Sequence, residues 1–408
     1  MRMMLSFAAL ILSVVLLQLS SGGVAPLDAL SGLMLDFSAT QIGLLGSAHY
    51  MGFFIGCWWA PRLMGSIGHS RAFAAFAAAG TIALIAHMLI VNPLAWALMR
   101  VATGCSVAGC YTVVEAWMQA KVGNATRGRT MGAYRLADMG ASLMAQLFIS
   151  VLEPASYVSY NILALICIAS LLPLTLTKAR QPDSPAAPRL RPRLLPECSP
   201  LATAGVLVSA LSGASFRMVG PLYGKGVGLA ADQIAWFLAA FVLGGALAQY
   251  PIGWLADKFD RRIVLIALSA ATIVTCLAIT AADGLSATGV MLSAFLFGLT
   301  SFPVYSVSAA HANDFADAGQ RVELSAALMF FYALGATAAP LVASALIGLF
   351  GPAAMFFLIA AGHGLLVVFG LVRMRIADPA RRRTRYVWAP RTSFIIGRLT
   401  RGARERHR

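Results

Sequence analysis

The chain of 408 residues is 59% hydrophobic and 12% charged, where soluble domains run about 45–50% apolar and about 25% charged. So few polar side chains cannot cover a water-facing surface, which excludes a soluble protein and makes a lipid bilayer the solvent. The net charge of +15 does not indicate nucleic acid, because 12 of the 31 basic residues follow Val372, where Asp378 and Glu405 are the only acids.

At about 20 apolar residues per span, hydrophobic runs predict helices over 4–30, 41–64, 71–92, 94–120, 129–152 and 156–177, then 201–224, 232–256, 262–282, 286–312, 322–350 and 352–375. Met1-Arg2 could open a signal peptide, but the run continues past Leu17 without an A-x-A site and is read as the first membrane helix. Between the sixth and seventh helices, residues 178–200 carry six prolines, from Pro182 to Pro200, and form a linker. The expected organisation is a six-helix half over 1–177, the linker, a second six-helix half over 201–375 and an Arg-rich tail over 376–408. The six cysteines fall in apolar segments, except Cys198 in the linker, and form no disulfide framework.

The two halves repeat. Gln41-Ile42 matches Gln233-Ile234 and Gly52 matches Gly244 at an offset of 192; Gly104 and Tyr111 match Gly298 and Tyr305 at 194; Gly140-Ala141 matches Gly335-Ala336 at 195. An even number of spans in each half makes this a parallel repeat about an axis along the membrane normal. Positive charge sorts by loop: Arg62, Arg71, Lys121, Arg127, Arg129, Lys258, Arg261, Arg262 and Arg321 fall on one side with the linker, and Lys225 alone on the other. The positive-inside rule then places both termini in the cytoplasm.

Between the eighth and ninth helices stands Gly253-Trp-Leu-Ala-Asp257-Lys258-Phe-Asp-Arg261-Arg262. This stretch resembles the G-x-L-A-D-[RK]-x-G-R-[RK] loop signature of the major facilitator superfamily, with Asp260 in place of the second glycine. Arg100-x-x-x-Gly104 and Ala108-Gly109 resemble the family's fourth-helix arginine motif. Val113-Val-Glu115-Ala-Trp117, Arg127-Gly-Arg129 and His311-Ala-Asn313-Asp314 resemble a bacterial subfamily labelled as drug or sugar transporters of undefined substrate. The resemblance covers residues 1–375 and implies an all-α polytopic membrane protein with twelve transmembrane helices in two pseudo-symmetric six-helix halves. It further implies a secondary transporter working by alternating access.

Asp257, with Gly253, Lys258, Arg261 and Arg262, is expected to act as a conformational latch against a neighbouring helix terminus. The first-half equivalents, Gly65 and Ser66, have lost the charge. Six ionisable residues lie inside predicted spans: Asp28, Arg100, Glu115, Arg135, Asp138 and Arg217. Such groups are costly in lipid and turn to partners or a water-filled cavity. Asp28, Arg100, Tyr111, Arg217 and Tyr305 are the substrate and cavity candidates, with Asp28 and Arg100 able to pair and Arg217 spare. Glu115, Arg135 and Asp138 are the proton-coupling candidates. Expected partners are a small solute, protons and lipid, with anionic headgroups at the tail through Trp388, Phe394, Ile395, Ile396 and Leu399 among arginines. No metal-ligand cluster, nucleophile elbow or phosphate-cradling loop is present. No cofactor, metal or enzymatic activity is therefore expected, and the chain is read as a monomer. The alternatives are a multidrug-type exporter of lipophilic compounds and a non-transporting membrane sensor or scaffold acting through the basic tail.

Overall fold

The computed structural model describes residues 2–122, 127–177, 189–280, 286–376, 384–389 and 391–394. All regular structure among these is helical. The long segments are α1 (Arg2–Met34), α2 (Ala39–Ile67), α3 (His69–Ala86), α4 (Pro93–Lys121), α5 (Arg127–Phe148), α6 (Tyr157–Leu176), α7 (Pro200–Gly226), α8 (Ala231–Lys258), α9 (Arg261–Thr280), α10 (Ala287–Phe315), α11 (Arg321–Phe350) and α12 (Ala354–Ile376). Among the described residues, 10 helices are long and apolar enough to cross a membrane. The two that fall short are α2, diluted by glycines, Ser47, His49 and Arg62, and α5, which carries Arg135 and Asp138.

Local chemistry explains the boundaries that differ from the expectation. The third helix stops at Ala86 rather than at 92, because His87 Nδ1 bonds the Ala83 carbonyl at 2.7 Å and Trp96 Nε1 donates to the His87 carbonyl at 2.7 Å. The tenth is broken at Phe302, where Pro303 has no N–H to continue the ladder. The linker holds a short helix, Leu194–Cys198, and Arg191 of the linker pairs with Glu323 at 3.1 Å.

Three of the repeated pairs, Gln41 with Gln233, Gly52 with Gly244 and Gly104 with Gly298, have the same physical task in both halves. Gln41 Oε1 accepts from the Ser38 N–H at 2.8 Å, and Gln233 Oε1 accepts from the Ala230 N–H at 3.0 Å, so each glutamine closes the start of its helix. A Cβ on Gly52 or Gly104 would collide with the Val101 or His49 carbonyl, and one on Gly244 or Gly298 with the Phe295 or Phe241 carbonyl. The α2–α4 and α8–α10 crossings are thus both built on glycine, which lets backbones approach where lipid gives no hydrophobic drive to association.

The helices before and after the linker meet differently on the two membrane faces. Toward the face opposite Arg62 and Lys258, Gly43 lies against Ser344 and the Pro340 carbonyl, and Gly46 lies against Met218, leaving no room for a side chain. Toward the basic face, α2 and α11 touch through Phe54 and Phe330, with ring centroids 5.7 Å apart. Beyond that contact the tail enters, and Phe394 packs on Phe54 at 5.9 Å. Trp388 and Phe394 are therefore turned into the bundle instead of toward a lipid surface, while Ile395, Ile396 and Leu399 lie outside the described residues.

Candidate functional site

A cavity of about 170 Å³ lies between the two sets of helices. Tyr111 of α4 and Arg135 and Asp138 of α5 line one wall, Arg217 of α7 and Tyr332 of α11 the other, and Trp388 and Arg391 of the tail border it as well. The Tyr111 hydroxyl donates to Asp138 Oδ1 at 2.5 Å and lies 2.6 Å from Gln18 Oε1. Arg100, Tyr111 and Glu115 of α4 are all buried, and of these Tyr111 alone lines the cavity.

The cavity's charges are unequal. Arg135 is 8% exposed, its Nη1 has no hydrogen-bond partner, and no carboxylate lies within 4.0 Å of it among the described residues. Its guanidinium sits 5.1 Å from the Trp388 ring. The pairing with Asp138 that a three-residue spacing allows is thus not made. Arg217 likewise makes no ion pair among the described residues and stacks 5.6 Å from the Phe302 ring. Arg391 Nη1 donates to the Tyr332 hydroxyl at 3.2 Å. Three guanidiniums and one carboxylate line the space, and arginine keeps its charge when buried.

Asp28 and Arg100 are a correction to the cavity assignment, because they neutralise each other away from it. Arg100 Nε stands 3.3 Å from Asp28 Oδ2, with side chains 2% and 3% exposed. The Tyr160 hydroxyl donates to Asp28 Oδ1 at 2.8 Å, and His87 Nε2 lies 3.8 Å from Oδ2. The pair adjoins a cleft of about 10 Å³, and Arg100 lines a second of about 10 Å³. Tyr160 and His87, stacked at 5.1 Å, were not singled out from the sequence, where each is a lone residue on an apolar helix.

Glu115 and Tyr305 are also off the cavity wall. Glu115 is fully buried and accepts from the Tyr134 hydroxyl at 2.9 Å and from the Thr392 and Ser393 hydroxyls of the tail. Tyr305 is 3% exposed behind Tyr332 and Arg391, so it does not face Tyr111 across the cavity.

The loop signature forms a charge cluster, with a partner the sequence reading did not include. Arg261 Nη1 pairs with Asp314 at 2.6 Å and donates to the Ala310 carbonyl at 2.9 Å, while its Nη2 lies 3.2 Å from Asp257. The expected contact of Asp257 with a neighbouring helix terminus is not made among the described residues; this carboxylate accepts from the Tyr386 N–H at 2.6 Å. Asp260, at the departure from the signature, accepts from the Arg262 N–H at 2.9 Å and pairs with its guanidinium at 2.8 Å, which makes it a cap for α9. Lys258 stacks 4.8 Å from Trp254. Gly253 leaves room for the Tyr386 ring, which a Cβ would strike. No group of three or more His, Cys, Asp or Glu side chains that could hold a metal occurs among the described residues.

Comparison with known proteins agrees with this architecture. Residues 202–404 match the family model described as Major Facilitator Superfamily. An uncharacterised MFS-type transporter of Yersinia enterocolitica is 24% identical over 340 residues, covering 83% of this chain and 87% of its own. The uncharacterised MFS-type transporter YcaD of Escherichia coli is 26% identical over 344 residues, covering 83% and 88%. Among solved structures, a variant of the nucleoside transporter NupG superposes with a TM-score of 0.75 at 15% identity, covering 91% of this chain and 100% of its own. A D-xylose-proton symporter superposes with a TM-score of 0.64 at 15% identity, covering 93% and 98%.

Proposed function

Because the chain belongs to the major facilitator superfamily, we propose that it moves a small organic solute bearing an acidic group, by alternating access through the central cavity. The observation that carries this reading is Arg135: a buried guanidinium with no carboxylate partner among the described residues, sharing the cavity with Arg217 and with Asp138 as its carboxylate. A planar fork of donors in a confined space matches a carboxylate or phosphate, and a cationic solute would meet uncompensated repulsion. Asp138 is the preferred proton carrier, since among the described residues Tyr111 is its one hydrogen-bond partner and no arginine pairs with it. Glu115 is the second. A fold shared with a D-xylose-proton symporter is compatible with proton coupling but does not assign it.

In this reading the halves 1–177 and 201–375 rock about the cavity, the basic face is cytoplasmic, and the protein sits in a bacterial inner membrane. The test is a screen of carboxylates, phosphates, amines and neutral lipophiles for thermal stabilisation of the purified protein. Acidic compounds should stabilise it, and Arg135→Gln and Arg217→Gln should each weaken that effect without changing the response to neutral compounds. Stabilisation by cations or neutral lipophiles alone would refute the acidic-solute reading in favour of a multidrug exporter.

A further inference from the structure

The tail composition reads as a basic arm for anionic headgroups, yet Thr384, Tyr386, Thr392 and Ser393 are bound to carboxylates on the helices. Asp314 accepts from the Thr384 N–H at 2.7 Å and from its hydroxyl at 2.8 Å. Asp257 accepts from the Tyr386 N–H, and Glu115 takes the Thr392 and Ser393 hydroxyls on its two oxygens. Between these anchors, Tyr386 fills the notch at Gly253 and donates to Gln249 Oε1 at 3.0 Å. Arg391 lies 4.8 Å and 4.9 Å from the Phe302 and Tyr332 rings. Phe394 is 3% exposed in a cluster with Cys57, Ala108 and Met329.

These contacts alternate between the two sets of helices. Thr384, Tyr386 and Arg391 bond α10, α8 and α11, whereas Trp388, Thr392 and Ser393 reach α5 and α4, and Phe394 packs between α2, α4 and α11. We propose that this segment is an intramolecular peptide ligand of the cavity mouth on the basic face, and that docking blocks the cavity and holds the halves apart there. Packed interiors do not compress, so beyond the Phe54–Phe330 contact α2 and α4 cannot close further on α10 and α11 until the segment leaves. While docked, it also occupies both oxygens of Glu115. Docking stands on the contacts alone; inhibition of transport rests on the function proposed above.

Native Cys57 provides the probe, since its Sγ is 4.0 Å from the Thr392 carbonyl and Phe394 packs in the same cluster. In the full-length protein, Phe394→Cys should form a disulfide with Cys57 on mild oxidation, read by mass spectrometry of the linked peptides. Reactive thiols at both positions with no link would overturn the docking. Ser142→Cys, on the cavity wall, then reports access from the basic face to a membrane-impermeant maleimide. Labelling should be at least about tenfold slower with the disulfide closed than after its reduction, and faster with Thr392→Ala and Ser393→Ala together than without them. Equal rates would overturn the block. In proteoliposomes the same double substitution should raise initial uptake several-fold; unchanged or slower uptake would overturn the inhibition. Absence of uptake from every variant would count against the transport reading, with labelling still deciding the plug.

Discussion

Replacing Asp28 with Asn probes how the bundle tolerates charge at its centre. The carboxylate and Arg100 are 3% and 2% exposed and 3.3 Å apart, with Tyr160 as the further partner at 2.8 Å. Losing one member of such a pair leaves the other as an uncompensated buried charge and costs about 3–5 kcal/mol. Arg100→Gln, which strands Asp28, should cost a similar amount. In the double variant neither charge remains, so its loss should fall short of the sum of the singles by about 2 kcal/mol or more. Equilibrium unfolding in mixed micelles measures this, with Trp96 beside His87 and Tyr160 as a local fluorophore. Additive losses, or single variants as stable as the parent, would show that the pair does not neutralise itself and would reopen both residues as cavity groups.

The glycine crossings should respond in parallel: Gly104→Ala and Gly298→Ala should each cost about 1–3 kcal/mol by overpacking, whereas Gly65→Ala, whose Cβ would meet nothing within 4 Å, should be neutral in the same unfolding assay. Asp257 is 41% exposed, so Asp257→Asn should lower stability by about 1 kcal/mol or less while increasing maleimide access to the cavity from the basic face. Reporter fusions after Arg193 and after Arg408 should both report cytoplasm, and an external signal from either would break the topology. The tail arginines should bind anionic vesicles in a salt-sensitive way; equal binding to neutral vesicles at high salt would exclude electrostatics.

What the sequence carried best was periodic or repeated. Gln41 with Gln233, and Gly104 with Gly298, stood at near-constant offsets because the same cap and the same close crossing are built twice. Helical spacing also placed Tyr111 and Asp138 on inward faces. Spacing could not say which inward groups satisfy each other, since the partners of Asp28 lie on α4 and α6, and Tyr160 resembles any aromatic in an apolar run. The tail was the least legible part. Thr384, Thr392 and Ser393 have no periodicity, and their role depends on carboxylates distant in the chain. Asp314 showed the same limit: its partner Arg261 is 53 positions away.

Proteoliposome uptake of the acid that best stabilises the protein, with and without an imposed proton gradient, tests the transport mechanism most directly. With the intact protein the gradient should accelerate uptake, and Asp138→Asn should abolish that acceleration while retaining solute exchange. Uptake indifferent to the gradient, or fully gradient-driven uptake by the Asp138→Asn protein and by its combination with Glu115→Gln, would contradict proton coupling through these carboxylates.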